Sequence, residues 1–202
     1  MLRVGLYAGA ISEQLGFDPN QVELLEQAAL LHDVGKIRIP DLILLKPSAL
    51  TEEEYLHMMR HCEFGRDIIH SAMEPKWRIL GHYRTTRDQE KYPDTTLLKV
   101  AGQIALCHHE RWDGTGYPQG LAGEAIPIEA RITAVADVFD ALSSSRPYKS
   151  AFMPDACLKM IVDQKEKHFD PRIVDAFVSC RDRLWSIRQQ VEHREAEASF
   201  DR

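Results

Sequence analysis

No stretch of this 202-residue chain alternates apolar and polar residues as a half-buried strand would, and no internal repeat emerges. That speaks against a fold built on sheets. No run approaches the roughly 20 apolar residues that a membrane-spanning helix needs. The opening MLRVGLYAGAISEQLGF carries one basic residue and is broken by Gly, Ser and Glu, so it reads as a first amphipathic helix and not as a signal peptide. The four cysteines, Cys62, Cys107, Cys157 and Cys180, form no Cys-x-x-Cys pair and suggest no disulfide framework. Reduced, buried thiols in a cytoplasmic protein are expected. Basic excess is also missing: 25 Lys and Arg stand against 31 Asp and Glu, a formal charge of −6. Such a surface offers no general footprint for DNA, although a local cluster of cations can still hold a small anion.

What the chain has is helical spacing almost throughout. Residues 21–33 (QVELLEQAALLHD) place apolar side chains three and four apart, and Gly35 is suited to cap that helix. Thr51 with Glu54 forms a capping-box signature for a helix running towards Ile69. Pro75 starts a helix over roughly 75–84, a polar loop follows at 85–94, and Asp94 or Thr95 caps a helix through about His109. Four glycines and two prolines make 113–127 an irregular loop. Residues 128–143 resume helical spacing; their β-branched start, 131–135, could be a strand, but the continuation favours helix. Pro154 and Pro171 fit first turns, with Asp170 as N-cap, and the segment 171–195 runs into a charged tail. The expectation is a single all-α domain over 1–180, with 181–202 as a helix end and tail. The abrupt helical start fits either a piece of a longer protein or a domain served by a separate upstream partner.

Three places carry chemistry. His32-Asp33 pairs an imidazole with a carboxylate able to bridge two cations, and Lys36 returns to the same side if the turn persists, where its ammonium can hold phosphate or protonate a leaving oxygen. His108-His109 repeats the adjacent pair, ahead of Glu110-Arg-Trp-Asp-Gly-Thr-Gly116-Tyr117-Pro118. Two buried histidines need partners, and metal is one solution. Glycines let backbone approach a ligand, and Tyr117 offers a flat face to a base. Asp137 sits in an apolar helix and needs a pair or a metal; Asp140 competes but reads as structural. His61 is a further ligand candidate. His57 lies one turn before it, so a His-x-x-x-His pair competes with a solvated face beside Glu53 and Glu54. Arg146 and Lys149 flank a Pro-fixed turn suited to a phosphate. His82 lacks supporting neighbours, and His70, His168 and His193 read as structural or surface residues.

Together HDVGK at 32–36, HHERWDGTGYP at 108–118, ITAVADVFDALSSSRPYK and HFDPRIVDAF resemble the HD-GYP family of metal phosphohydrolases, over about residues 2–180. The resemblance implies an all-helical HD-type domain that hydrolyses cyclic di-GMP. It implies His32, Asp33, His61, His108, His109 and Asp137 as metal ligands, with iron or manganese as the metals. It implies Lys36 as the catalytic lysine, Gly116, Tyr117 and Pro118 as the shape of the nucleotide pocket, and Arg146 and Lys149 on phosphate. Members with a third metal use a Glu and a His from the first helix; residues 1–12 contain neither, so two metals are expected. The polar segment around 85–94 is longer than the family pattern.

The implied mechanism is in-line attack of a metal-bridging hydroxide, with Asp33 between the cations, giving pGpG first, with a second cleavage to GMP left open. Rival expectations are a silent cyclic di-GMP receptor, a phosphohydrolase for another cyclic dinucleotide, and a metal-free helical scaffold. Upstream sensor or receiver domains, diguanylate cyclase-type partners and a homodimer through the first or last helix belong to the same set of expectations, as does a bacterial cytoplasmic location.

Overall fold

Small residues four apart let two helices meet backbone to backbone at the start of the chain. In the computed structural model, which describes residues 2–73, 96–144 and 152–200, α1 (Leu2–Gln14) buries Val4, Tyr7, Ala8, Ala10 and Ile11. Its Gly5 and Gly9 lie against Glu26 of α2 (Pro19–Ala29); a Cβ on Gly5 would fall 2.6 Å from the Glu26 carbonyl oxygen. Asp18 caps α2 in a full capping box with Gln21. Each large apolar side chain buried here contributes about 1.5–3 kcal/mol.

The helix expected over 21–33 ends sooner, at Ala29. His32 and Asp33 sit in the turn that follows, before a 3-10 turn, Val34–Arg38. Gly35 does not take the left-handed conformation of a helix cap. It is pressed onto the next helices instead: a Cβ there would lie 1.9 Å from the His61 carbonyl oxygen and 2.4 Å from Gly65 N. The glycine serves a backbone crossing that only tertiary structure reveals.

The short α3 (Asp41–Leu44) leads to α4 (Glu52–Met59), whose Thr51–Glu54 capping box forms as its sequence predicts. The continuous helix expected from there to Ile69 breaks at Arg60, and α5 (His61–Met73) starts anew with His61 as its first residue. The helix expected at 75–84, the loop at 85–94, His82, Arg146 and Lys149 lie outside the described residues.

Next come α6 (Thr96–Cys107), an irregular loop with a 3-10 turn at Gly123–Ala125, and α7 (Ile128–Ser143). Then follow α8 (Pro154–Val162) and α9 (Pro171–Ser179), both with Pro in the first turn, and α10 (Arg181–Phe200). Asp170 caps α9 by accepting from Arg172 N, while the chain breaks again at Cys180 instead of running helical from 171 to 195. Residues 131–135 are helical within α7.

The fold is all-α, with no strand among the described residues. The aromatic centre of the core is Phe139, with Tyr7 at 4.9 Å, Phe177 at 5.4 Å and Trp185 at 6.0 Å between ring centroids. In the same core, α5 packs on α6 and on the 3-10 turn, which brings the His-bearing segments together. No helix among the described residues is long and apolar enough to cross a membrane.

Candidate metal centre

Helix ends supply the histidines. His32 follows α2, His61 opens α5 and His108 follows α6, so each ring can fold back on a main-chain carbonyl three or four residues earlier, which it shares with a backbone N–H. His32 Nδ1 lies 2.7 Å from Ala29 O and His61 Nδ1 2.8 Å from Met58 O. His108 Nδ1 lies 3.0 and 3.1 Å from Ile104 O and Ala105 O. A carbonyl only accepts, so Nδ1 carries the proton and donates in all three, and Nε2 is turned inward.

The three Nε2 atoms surround Asp33. Lys36 Nζ donates to Asp33 Oδ2 at 2.6 Å, the return across the turn expected from their spacing. The other oxygen, Oδ1, accepts no hydrogen bond although it is buried. It faces His61 Nε2 at 3.4 Å and His108 Nε2 at 3.8 Å, while those two nitrogens are 3.4 Å apart. His32 Nε2 is 3.4 Å from Asp33 Oδ2 and 3.7 Å from Asp137 Oδ1. His109 completes the cluster, its ring centroid 4.1 Å from that of His108 and 5.1 Å from that of His61. The fold thus brings together His32, Asp33, Lys36, His61, His108, His109 and Asp137, residues far apart in the chain.

Charge in the cluster is divided. Burial drives the His109 imidazole down to about 4, helped by His61, and holds His108 and His61 below their ordinary value. These three are neutral near neutral pH, with lone pairs free. Burial works against charge on His32 too, but Asp137 and Asp33 outweigh it and raise this ring to about 9. Burial likewise opposes ionisation of both carboxylates; His32 and Lys36 overcome it at Asp33, and His32 overcomes it at Asp137, so both stay below the usual carboxylate range. A buried carboxylate oxygen without a donor, ringed by imidazole lone pairs, is the arrangement a divalent cation satisfies. The residues fit a metal centre.

The loop beside the cluster is held by its own backbone. Tyr117 stacks on His109 with centroids 4.9 Å apart and planes 26° from parallel, and Tyr117 N donates to His109 O. Gly116 approaches backbone, not open space: a Cβ there would lie 2.3 Å from Arg111 N. Pro118 follows through a cis peptide bond. Asp113 accepts from the Thr115 amide and hydroxyl.

Glu110 was read in the sequence only as part of the motif, yet its buried carboxylate also clasps this loop. It is 2% exposed, and its two oxygens accept from Gln119 N at 2.7 Å and Leu121 N at 3.0 Å. No pattern of types at spacings of nine and eleven signals such a clasp. Cys62 was also missed, and its thiol sulfur borders the cluster 3.6 Å from His61 Nε2.

Other candidates fall elsewhere. Asp140 turns away to Arg3, whose Nε donates at 2.6 Å. His57 packs against Phe64 and does not pair with His61. His168 stacks on Phe169, and His193 meets Glu197 in the open.

An all-α scaffold that closes a His-Asp cluster between helix ends defines an HD-type domain. The chain matches the HD domain family over residues 2–173 and belongs to it, with the HD and GYP signatures of the HD-GYP branch. It is 46% identical over 185 residues, 92% of its length, to the cyclic di-GMP phosphodiesterase response regulator RpfG of Xanthomonas campestris, of which that covers 43%. It is 38% identical over 186 residues, 92% of its length, to the 3'3'-cGAMP-specific phosphodiesterase 2 of Vibrio cholerae, covering 32% of that protein. In structure it resembles an HDG"Y"P protein from Bdellovibrio bacteriovorus, with a TM-score of 0.58 at 22% identity, over 87% of this chain and 49% of that one. The chain spans less than half the length of the curated relatives it matches.

Proposed function

We propose that this protein is a metal-dependent phosphodiesterase that opens cyclic di-GMP. The observation that carries the reading is the convergence of four imidazoles and two carboxylates on one buried point beside a stacked tyrosine. The names of relatives up to 46% identical favour a cyclic dinucleotide as substrate.

His32, Asp33, His61, His108, His109 and Asp137 would hold two divalent cations, iron or manganese. When bound, they supply a Lewis acid for the phosphodiester oxygens and a water of lowered pKa. Lys36 fixes Asp33 through Oδ2, which keeps Oδ1 aimed at the imidazoles. Its side chain is 40% exposed, and in this reading its ammonium protonates the departing ribose oxygen. His109 backs one face of Tyr117, leaving the opposite face to stack on a guanine. Gly116 and Pro118 set the turn that presents this ring, and Arg146 and Lys149 would take phosphate charge. The first product in this reading is pGpG, and chromatography tells whether it goes on to GMP.

The test is to purify the protein without oxygen, load it with iron(II) or manganese(II), verify the metal content, and follow cyclic di-GMP by chromatography. Accumulating pGpG or GMP, lost with Asp33→Ala, supports the reading. Fully loaded protein that binds cyclic di-GMP without cleaving it overturns the reading in favour of a receptor. The 38% identity to a 3'3'-cGAMP-specific enzyme supports a second substrate, and competition between the two cyclic dinucleotides decides between them.

A further inference from the structure

Four cysteines are buried in this protein, and three of them are packing thiols. Cys157 and Cys180 belong to the main apolar core and donate to the carbonyls of Phe152 and Phe177. Cys107 belongs to the smaller apolar cluster and donates to the Gln119 side chain. Cys62 differs. It is 0% exposed and belongs to neither apolar cluster. Its sulfur lies against His61 Nε2 at 3.6 Å.

The ligand atoms of His61, Cys62, His108 and His109 all lie within 4.8 Å of one another. A tetrahedral site with metal–nitrogen bonds of about 2.05 Å and a metal–sulfur bond of about 2.3 Å has edges of roughly 3.3 Å between nitrogens and roughly 3.5 Å from nitrogen to sulfur. The corresponding separations here are 3.4 Å for His61 to His108 and 3.6 Å for His61 to Cys62. Two edges of a tetrahedron are therefore in place. They lie on the imidazole side of the centre, whereas Asp137 lies across it, next to His32.

We propose that Cys62 is a sulfur donor to the metal centre, so that its imidazole side takes a thiolate-binding divalent cation, iron(II) in the reading above and cobalt(II) or zinc(II) as its probes, through His61, Cys62 and His108, with His109 in reach. The inference rests on the metal-centre reading above and adds a ligand to it. On ligation the thiol proton passes to the buffer and sulfur binds as thiolate. The opposite side, where His32 lies between Asp33 Oδ2 and Asp137 Oδ1, keeps the oxygen-rich character suited to manganese, and Asp33 Oδ1 faces the imidazole side. One centre then has a soft flank and a hard flank, and the two cations it holds need not be alike.

Anaerobic titration of the metal-free protein with cobalt(II) tests this. The expected result is an intense near-ultraviolet absorption from sulfur-to-cobalt charge transfer, lost in Cys62→Ser and Cys62→Ala while cobalt still binds. X-ray absorption of the zinc-loaded wild-type protein gives a second readout that needs no variant, a sulfur neighbour at about 2.3 Å. Cobalt bound without the absorption, an absorption that survives in Cys62→Ser, or zinc ringed only by nitrogen and oxygen overturns the role of Cys62 and leaves the metal centre standing. No cobalt bound at all overturns both.

Discussion

Asp33 Oδ1 and His61 Nε2 face each other at 3.4 Å with no proton between them. The histidine proton is on the opposite nitrogen, donated to Met58 O, and burial keeps the ring neutral. Two lone pairs therefore confront one another inside the protein, an unfavourable contact that a cation converts into two bonds.

Divalent metal should accordingly stabilise the fold. At about 1,000 times the dissociation constant the gain is about 4 kcal/mol, which for a chain of this size raises the melting temperature on the order of 10 °C. Asp33→Ala should abolish both that rise and metal retention. Calorimetry with and without manganese checks this, and equal shifts in the two proteins would contradict it.

Glu110→Gln keeps the size of the side chain but removes its charge and sets an amide NH2, a donor, against one of the two backbone N–H groups. A charged acceptor contributes about 1.5–3 kcal/mol per hydrogen bond, so looser placement of Tyr117 should lower kcat/KM by about ten-fold or more. Metal stoichiometry should not change. Steady-state kinetics beside elemental analysis separates the two effects; loss of metal in the variant would assign Glu110 to the centre itself.

Stability without metal should peak near neutral pH. His109 and His168 are both lowered to about 4 from 6.5, in each case chiefly by burial, so the unfolded chain binds more protons than the fold between those values. Stability falls as pH drops through that window. His32 acts in the opposite sense: raised to about 9, it contributes fully below 6.5 and its contribution is lost as pH rises through 9. Urea unfolding at several pH values reads this directly, and His168→Phe should flatten the acid side. A midpoint that does not fall on acidification would refute the sign.

Beneath the loop, Arg131 Nη1 pairs with Asp170 Oδ2 at 2.5 Å, the carboxylate wholly buried and the guanidinium nearly so. Asp170→Ala strands that guanidinium and removes the cap of α9, so a loss of about 3–5 kcal/mol is expected. Replacing the pair together with Arg131→Met and Asp170→Leu should cost less than Asp170→Ala alone, which denaturant titrations of both proteins would show.

Gly35→Ala should be among the most damaging single methyl groups in the chain. Its Cβ would meet the backbone of His61 and Gly65, whereas a Cβ on Gly65 meets the Ala105 methyl at 3.1 Å. A loss of several kcal/mol, roughly, is expected at 35 and a milder one at 65. Thermal melts and metal content of both variants check the order; equal tolerance would show that the crossing can yield.

Much of this was legible in the sequence because helical spacing, capping residues and adjacent histidines are local signals. Thr51 with Glu54, Pro171 after Asp170, and the register of 128–143 follow from chemistry within one turn of chain. The end of α2 at Ala29, the break at Arg60 and the break at Cys180 do not, because packing against other helices decides them. His61 could be suspected from its type, but that it opens a helix and bonds back to Met58 could not. Glu110 and Cys62 were missed for the same reason: their partners are brought near only by the fold.

The back-bonds of His32, His61 and His108 have a consequence for how the centre tolerates change over generations. Their partners at Ala29, Met58, Ile104 and Ala105 are peptide oxygens, which every amino acid provides. The proton is thus parked on the correct nitrogen by main chain that point mutation does not delete. Side chains at 29, 58, 104 and 105 are free to drift wherever packing permits, and the tautomers they accompany are inherited with the helix ends.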